Sequence, residues 1–218
     1  MASELIERAM TYVKKKLEKE YSGHDFFHTL RVFKVATRIS EREGVNVETV
    51  QLAALLHDVD DRKVSPDTYK TQANARDFLA SNGVDESTTE LICQIIREIS
   101  FGDNTEAPTT LEGKCVQDAD RLDALGAIGI ARAFAYGGNR NRHMYHPDVK
   151  PNLNMTREEY VKSESTTVNH FYEKLFKLTA LMNTEAARSI ARERERYMKD
   201  FIDEFMAEWE GKSSRRLV

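Results

Sequence analysis

The feature that most constrains the fold is a helical hydrophobic period, which recurs in nearly every segment of this 218-residue chain. Apolar residues return every three or four positions, which places them on one face of a helix. Glycine and proline are scarce, at ten and four, whereas an all-β chain needs many turns rich in both. Hydrophobic residues make up 40% of the chain, which is enough for a packed core. The sequence therefore predicts one all-α domain.

Helix ends are indicated by capping residues and by breaks in the apolar period. Ser87 to Glu90 and Thr156 to Glu159 each fit a capping box, at which a helix begins. Residues 109–134 predict two helices, or one that bends at Gly126, and Asn183 or Thr184 is expected to cap the last helix. The predicted helices cover residues 5–17, 26–43, 47–60, 69–81, 87–99, 109–134, 156–182 and 184–209.

The domain organisation expected from this pattern is a single domain over residues 1–218, without internal repeats or a low-complexity linker. Within it we expect a core with a metal site over residues 23–134 and C-terminal helices over 156–210 that pack on this core. Residues 135–155 form an irregular stretch and a candidate lid, because loops of this length in compact domains are commonly functional.

Charge and composition exclude several classes of protein. The net charge of −4 and the pI of about 5.9 argue against broad binding of duplex nucleic acid. No apolar run approaches the roughly 20 residues of a membrane span, and the first residues lack a signal-peptide pattern, so we expect a cytoplasmic protein. Cys93 and Cys115 lie in apolar helical patterns and are expected to be buried free thiols. The oligomeric state stays open between monomer and homodimer.

An acidic cluster follows the apolar run of the third predicted helix. His57 and Asp58 come directly after this run, and Asp60 and Asp61 follow them. The C-terminal end of a helix carries partial negative charge, which disfavours each acidic side chain there by roughly 0.3–1 kcal/mol. A bound cation would resolve this conflict. The alternative is that the helix ends earlier and that the aspartates lie in a solvated turn.

A second acidic cluster contains Asp118 and Asp120. These two residues cannot share one face of a helix, because neighbours on a face are three or four positions apart. Asp120 borders the apolar face, where an unpaired carboxylate is costly. It is therefore either paired with a cation such as Arg121 or a metal ligand.

The string HDFFH, from His24 to His28, offers a further candidate site. Two histidines four residues apart resemble the HExxH pattern of zinc proteases, with Asp25 in place of the glutamate. Aspartate is shorter by one methylene, and no obvious motif for a third ligand follows. We therefore disfavour a metallopeptidase.

Taken together, these histidines and aspartates resemble the H…HD…D signature of the HD-domain superfamily of metal-dependent phosphohydrolases. The strings GHDFFHTLRVFKVA, LAALLHDVDD and VQDADRLDALGAIGIARAF stand in the order of that family. The later pattern YGG…HP…MT…NHFYEKLFKL…MNT is similar to small stand-alone bacterial HD hydrolases. The resemblance implies an all-α, HD-domain helical bundle in a single domain.

The same resemblance implies a site for one divalent metal ion and a catalytic carboxylate. Its expected ligands are His28, His57, Asp58 and Asp120. Such a mixed nitrogen and oxygen set suits Mn²⁺, Fe²⁺, Co²⁺, Ni²⁺ or Zn²⁺ better than Ca²⁺, and Mg²⁺ is a further option. Asp118 competes with Asp120 for the fourth position, and the family pattern favours Asp120. In related enzymes an acidic residue three positions after the motif aspartate assists catalysis, and here this is Asp61, which would orient or deprotonate the attacking water.

Basic residues near the motifs and on the candidate lid are expected to contact a phosphate-bearing substrate. Cations close to the ligands would neutralise phosphate charge, and those on the loop would close over a nucleotide. Each of them also has the ordinary alternative of a surface cation or a helix-terminal residue. The expected substrate-binding residues are His24, Arg62, Lys63, Arg121, Arg142, His146 and Lys174.

The activity that the resemblance implies is hydrolysis of a phosphoester or phosphoanhydride, most simply of a nucleotide by a nucleoside triphosphate pyrophosphohydrolase. The alternatives are a nucleoside monophosphate phosphatase and a non-catalytic metal- or nucleotide-binding sensor of the same fold. A di-iron oxygenase would need further histidine ligands, and the sequence has none between His57 and Asp120. The expected partner is thus a small phosphate-bearing molecule, and neither duplex nucleic acid nor a membrane is expected.

Overall fold

The computed structural model describes residues 3–18, 25–99, 106–156, 159 and 165–212. These ranges contain nine α-helices, one 3₁₀ helix and no strand, so the predicted all-α, single-domain class is confirmed. The helices are α1 (Glu4–Lys16), α2 (Phe26–Glu43), α3 (Val47–Leu56), α4 (Ala73–Ser81), α5 (Glu86–Ile99), α6 (Leu111–Asp123), α7 (Gly126–Asn139), α8 (Thr167–Glu173), the 3₁₀ helix (Leu175–Leu181) and α9 (Glu185–Trp209). No helix among them has the length and the apolar character that a membrane crossing requires.

Helix α2 begins and ends where its sequence predicts. The side chain of Asp25 accepts a hydrogen bond from the backbone N–H of His28 at 2.7 Å, which satisfies a donor of the first turn. Gly44 ends the helix with φ at 70°, a left-handed conformation that glycine adopts without steric cost. The first turn of α2, which carries a predicted metal ligand, is therefore fixed by its own cap.

Three other predicted boundaries are wrong. Helix α3 ends at Leu56 instead of Asp60, and residues 57–60 form a turn. Helix α4 begins at Ala73, four residues later than predicted. Helix α5 is capped by Asp85, which accepts from the N–H of Thr88 at 3.0 Å, so the capping box predicted at Ser87 is not formed. In each case a hydrogen bond or a turn outside the apolar pattern decides the boundary.

Among the remaining boundaries, those at Gly126 and Thr184 agree with the sequence and two others differ from it. Thr156 and Glu159 exchange the two hydrogen bonds of a capping box. Residues 157, 158 and 160–164 lie outside the described residues, and the described part of the helix predicted over 156–182 is divided into α8 and the 3₁₀ helix. Residues 109–134 form two helices that meet at Gly126, whose φ of 74° favours glycine. Thr184 caps α9, because its hydroxyl accepts from the N–H of Ala187 at 3.2 Å. Helix α7 extends to Asn139, so the irregular loop starts at residue 140, five residues later than expected.

The described residues belong to two compact units, and neither unit is one continuous stretch of chain. The first comprises Met1–Asp120 and Asn183–Ala187, and the second comprises Arg121–Met182 and Arg188–Val218. The finer division predicted above, with borders at residues 134 and 155, stays a prediction.

Each unit has its own apolar interior. In the first, α3 packs against α1, α2 and α5, and its run Leu52 to Leu56 is buried on every side. Burying one such leucine contributes about 1.5–3 kcal/mol, so α3 is held firmly at the centre of this unit. Cys93 and Cys115 are buried free thiols, as predicted. The second unit contains an aromatic cluster formed by Phe134, Phe171, Phe201 and Phe205, of which Phe171 is fully buried.

Candidate metal centre

Helix α2 presents His28 to a buried cluster inside the first unit. This side chain lies in the first turn of the helix and is 3% exposed. Its Nε2 atom lies 3.3 Å from Oδ1 of Asp120 and 3.6 Å from Oδ2 of Asp58. A single imidazole nitrogen therefore faces two carboxylates that come from different elements, the turn after α3 and helix α6.

His57 enters the cluster directly after the last residue of α3. Its Nδ1 atom lies 2.9 Å from the carbonyl oxygen of Ala54, so Nδ1 carries the hydrogen and donates it to this carbonyl. The other ring nitrogen, Nε2, is buried, lies 3.3 Å from Oδ2 of Asp58 and has no hydrogen-bond partner. A buried polar atom without a hydrogen bond needs an explanation. A metal ion supplies one, because ligand histidines commonly donate their second N–H to a carbonyl in this way.

The predicted ligands lie close together. His28, His57 and Asp120 each offer a ligand atom, and these three atoms lie within 4.8 Å of one another. Asp58 is also buried, with Oδ2 at 3.3 Å and 3.6 Å from the two imidazole nitrogens. Two imidazoles and two carboxylates therefore converge on one point, a donor set that fits a divalent transition metal.

The electrostatics of the cluster favour a positive charge. Burial by itself lowers the pKa of His57, but the neighbouring carboxylate of Asp58, followed by the charge of Asp120, raises it to about 9. Burial alone raises the pKa of Asp120, but the hydrogen bond and charge of His28 hold it below the usual range. At neutral pH the cluster therefore holds a proton on the imidazole of His57.

Asp118 does not contact the imidazoles but is hydrogen-bonded to residues at the start of α9. It is fully buried, and its carboxylate accepts four hydrogen bonds, from the N–H and side-chain amide of Asn183 and from the N–H and hydroxyl of Thr184. Burial raises the pKa of Asp118, and these four hydrogen bonds oppose the rise. Of the two candidates for the fourth ligand, only Asp120 lies beside the imidazoles.

The turn after α3 is not the solvated turn of the alternative hypothesis. The helix does end early, but Asp58 and Asp60 are only 5% and 3% exposed. Asp61 is partly exposed, and its Oδ1 accepts from the N–H of Lys63 at 2.8 Å. The side chains of Arg62 and Lys63 are exposed. The acidic run is thus divided between a buried cluster and a partly solvated end.

The predicted substrate-binding residues are placed in different surroundings. Arg121 is 5% exposed and donates a hydrogen bond to the carbonyl of Leu181. Arg142 lies over the ring of Tyr136, with its guanidinium carbon 5.9 Å from the ring centroid. His24 lies outside the described residues.

Two further predicted contacts, His146 and Lys174, belong to the second unit. His146 is partly exposed, and its Nδ1 accepts from the N–H of Asp148 at 3.2 Å. Lys174 is partly buried near His170. Burial, then the charges of Lys174 and Arg142, lower the pKa of His170 to about 4. Lys174 and Arg142 therefore both lie close to the imidazole of His170.

Asn74, which no sequence pattern indicated, lies at the start of α4 and contacts the turn after α3. Its side-chain amide donates to Oδ1 of Asp60 at 2.7 Å and to the hydroxyl of Thr68 at 2.8 Å. The repeated Asp-x-Asp spacing is the sequence signal for this arrangement, because it places a second carboxylate two residues from each aspartate of the cluster.

Comparisons with known proteins identify the family of the chain. The family model described as HD domain matches residues 25–125. The uncharacterised protein YpgQ of Bacillus subtilis is 38% identical over 200 residues, which are 90% of this chain and 89% of that protein. A structure described as an HD-superfamily hydrolase from Bacillus thuringiensis is 45% identical, with a TM-score of 0.76 over 95% of this chain and 97% of that chain. The structure of YpgQ in complex with ADP is 33% identical, with a TM-score of 0.75 over 93% of this chain and 97% of that chain.

Proposed function

This chain belongs to the HD-domain superfamily, whose structural relatives include HD-superfamily hydrolases, and on this premise we propose that it is a metal-dependent phosphohydrolase. Its proposed substrate is a nucleotide, and its proposed reaction is hydrolysis of a nucleoside triphosphate that releases pyrophosphate. The observation that carries the proposal is the buried Nε2 of His57, which lacks a hydrogen bond in a cluster with two carboxylates. The ADP in the structure of YpgQ supports a nucleotide as the ligand class.

Four residues would hold one divalent metal ion, and the donor set fits Mn²⁺, Fe²⁺, Co²⁺, Ni²⁺ or Zn²⁺ better than Ca²⁺, with Mg²⁺ as a further option. When bound, such an ion lowers the pKa of its water from about 16 toward 7 and polarises a phosphoryl oxygen. The proposed ligands are His28, His57, Asp58 and Asp120.

The residues of the chain prepare the site in two ways. The carbonyl of Ala54 accepts the Nδ1–H of His57 and so fixes the tautomer in which Nε2 has a free lone pair. Asp61 is the proposed general base, because it is a partly exposed carboxylate at the end of the same turn. Its hydrogen bond from the N–H of Lys63 holds one carboxylate oxygen in place while the other can accept a proton.

Charge neutralisation of the substrate is assigned to the basic residues. Arg62 and Lys63 have exposed side chains next to the proposed base, and each can form a charge-assisted hydrogen bond to phosphate. Arg121 would have to exchange its hydrogen bond to Leu181 before it could contact a substrate. His24, Arg142, His146 and Lys174 complete the proposed set of phosphate contacts.

The test is a product assay with metal-stripped protein reconstituted with Mn²⁺, Mg²⁺, Co²⁺, Ni²⁺ or Zn²⁺. Nucleoside tri-, di- and monophosphates are offered separately, and released phosphate and pyrophosphate are measured by separate methods. Metal-dependent release of pyrophosphate from a triphosphate is the expected result. Release of phosphate from a monophosphate would instead indicate a nucleoside monophosphate phosphatase. No release from metal-loaded protein would overturn the hydrolase and favour a sensor.

Paired variants separate loss of the metal from loss of the fold. His57→Ala should lose both bound metal and activity, because it removes a ligand nitrogen at the centre of the cluster. His143→Ala is the matched control, since this histidine is exposed and is not among the proposed ligands. Equal metal content in the two variants would contradict the ligand assignment.

A further inference from the structure

Each ligand aspartate has a second buried aspartate two residues away. Asp60 follows Asp58, and Asp118 precedes Asp120. Neither Asp60 nor Asp118 is hydrogen-bonded to the imidazoles in the contacts described above. Both accept hydrogen bonds at the beginning of another helix, where unsatisfied N–H groups and partial positive charge stabilise a carboxylate.

Asp60 supplies the cap that α4 lacks in its own sequence. The capping position of α4 is Gln72, which has a φ of 55° and makes no side-chain capping hydrogen bond. Instead, Oδ1 of Asp60 accepts from the N–H of Asn74 at 3.2 Å, and Oδ2 accepts from the N–H of Ala75 at 2.9 Å. The turn that carries His57 and Asp58 is thereby attached to the first turn of α4.

Asn74 extends this attachment to α1. Its amide group donates to Asp60 and to the carbonyl of Val59, at 2.7 Å and 3.2 Å. Its own backbone carbonyl accepts from the hydroxyl of Tyr12 at 3.2 Å, and its side-chain oxygen accepts from Lys16 at 2.9 Å. The turn after α3 is therefore connected to two helices through hydrogen bonds that the apolar core does not provide.

Asp118 makes the equivalent attachment at the start of α9. Its two oxygens accept hydrogen bonds of 2.8–2.9 Å from Asn183 and Thr184, and Thr184 is itself the cap of α9. Two positions along a helix differ by about 200° around the axis, so Asp118 and Asp120 project from nearly opposite sides of α6. Fixing Asp118 therefore fixes the rotation of α6 and with it the direction of Asp120.

We propose that Asp60 and Asp118 are positioning residues, which hold the carboxylates of Asp58 and Asp120 where a metal ion can bind them. The inference rests on the proposed metal site. Ligand groups have to lie within about 0.5 Å of the positions in which they bind the ion. A backbone that is anchored two residues away restricts the movement of a ligand side chain away from that position. In both Asp-x-Asp pairs, one carboxylate would then face the ion and the other would cap a helix.

The test compares the affinity for Mn²⁺ alone in three variants of the same chemical type. Asp60→Asn and Asp118→Asn each turn one accepting oxygen into an NH₂ group that faces N–H donors. Asp85→Asn is the matched control, because Asp85 caps α5 in the same way but is not among the residues of the cluster. The Kd for Mn²⁺ is measured by titration calorimetry well below the melting temperature of each variant.

The expected result is a loss of about tenfold or more in Mn²⁺ affinity for Asp60→Asn and Asp118→Asn, which is the usual effect of removing outer support from a metal site. Asp85→Asn should keep the wild-type Kd even where its melting temperature falls. Equal Kd values in all three variants would overturn the proposal, because the two aspartates would then act only on stability.

Milder variants keep the test decisive if an aspartate variant does not fold. Asn74→Ala removes the amide bridge to Asp60 but leaves the two backbone donors, so Mn²⁺ binding should weaken by a smaller factor. Thr184→Ala should also weaken Mn²⁺ binding, whereas Thr184→Ser keeps the hydroxyl and should bind Mn²⁺ as the wild type does. Unchanged binding in Asn74→Ala and Thr184→Ala would overturn the proposal, as would a wild-type protein that binds no Mn²⁺. Wild-type protein that binds Mn²⁺ but hydrolyses no nucleotide would overturn the proposed function alone.

Discussion

Raising the pH from 6.5 to about 9 should destabilise the metal-free protein, because folded His57 binds its proton more tightly than the unfolded chain does. The pKa of this imidazole rises from 6.5 to about 9 on folding. Stability from a raised histidine pKa is fully present below the unfolded value and is lost as the pH passes the folded value. At 1.36 kcal/mol for each pKa unit, the loss amounts to about 3 kcal/mol in the free energy of unfolding.

A saturating metal ion should reverse the sign of this dependence. The ion binds the neutral imidazole, so it has to displace the proton that Asp58 and Asp120 hold on His57. Fewer protons compete as the pH rises, and the stabilisation by the metal therefore increases over the same range. The two curves, with chelator and with Mn²⁺, should diverge between pH 6.5 and about 9.

Urea unfolding followed by circular dichroism measures both curves. His57→Gln should flatten the curve of the chelated protein, because glutamine does not titrate. His143→Gln should keep the wild-type slope, because this histidine is exposed and is not among the residues of the cluster. A chelated wild-type protein whose stability is constant or increases over this range would refute the reasoning, as would a His57→Gln variant with the wild-type slope.

Three further predictions concern catalysis, the metal and the backbone. Asp61→Asn should keep the wild-type Kd for Mn²⁺ and lower kcat by about 10²–10⁴-fold in steady-state assays with nucleotide, and full activity would exclude it as the general base. Asp58→Asn should weaken Mn²⁺ binding in calorimetry, because it removes charge at 3.3 Å from Nε2 of His57, and an unchanged Kd would exclude it as a ligand. Gly126→Ala should destabilise the protein by about 1–2 kcal/mol in urea unfolding, because φ is 74°; Gly138→Ala, whose added Cβ meets nothing within 4 Å, should not.

The apolar period predicted the helices well because it reports which face of each segment is buried. Helix α2 agrees at both ends, since Asp25 and Gly44 are a local cap and a local stop. Helix α5 shows that sequence patterns do not decide between two neighbouring capping residues. Asp85 and Ser87 are both good capping residues, and only the hydrogen bond from Thr88 shows that Asp85 is the cap.

The candidate site was predicted by its residue types, but its internal division of roles was not. Spacing alone could not decide between Asp118 and Asp120, because the deciding partners of Asp118 are Asn183 and Thr184, far along the chain. Arg121 likewise donates its hydrogen bond to a carbonyl far along the chain, that of Leu181. Sequence patterns describe one segment at a time, whereas these contacts join segments that only the folded chain brings together.

The division of the aspartates also bears on what the proposed metal site would bind. Asp60 and Asp118 direct their charge to helix N-termini, which leaves two carboxylates and two imidazoles for the proposed ion. Two carboxylates balance the charge of a divalent ion, so the loaded site would be close to neutral and would accept an anionic phosphate group. Four carboxylates would leave an excess of negative charge that repels the same group at short range. An acid-rich motif is therefore compatible with a phosphate-bearing substrate because half of its carboxylates serve the fold.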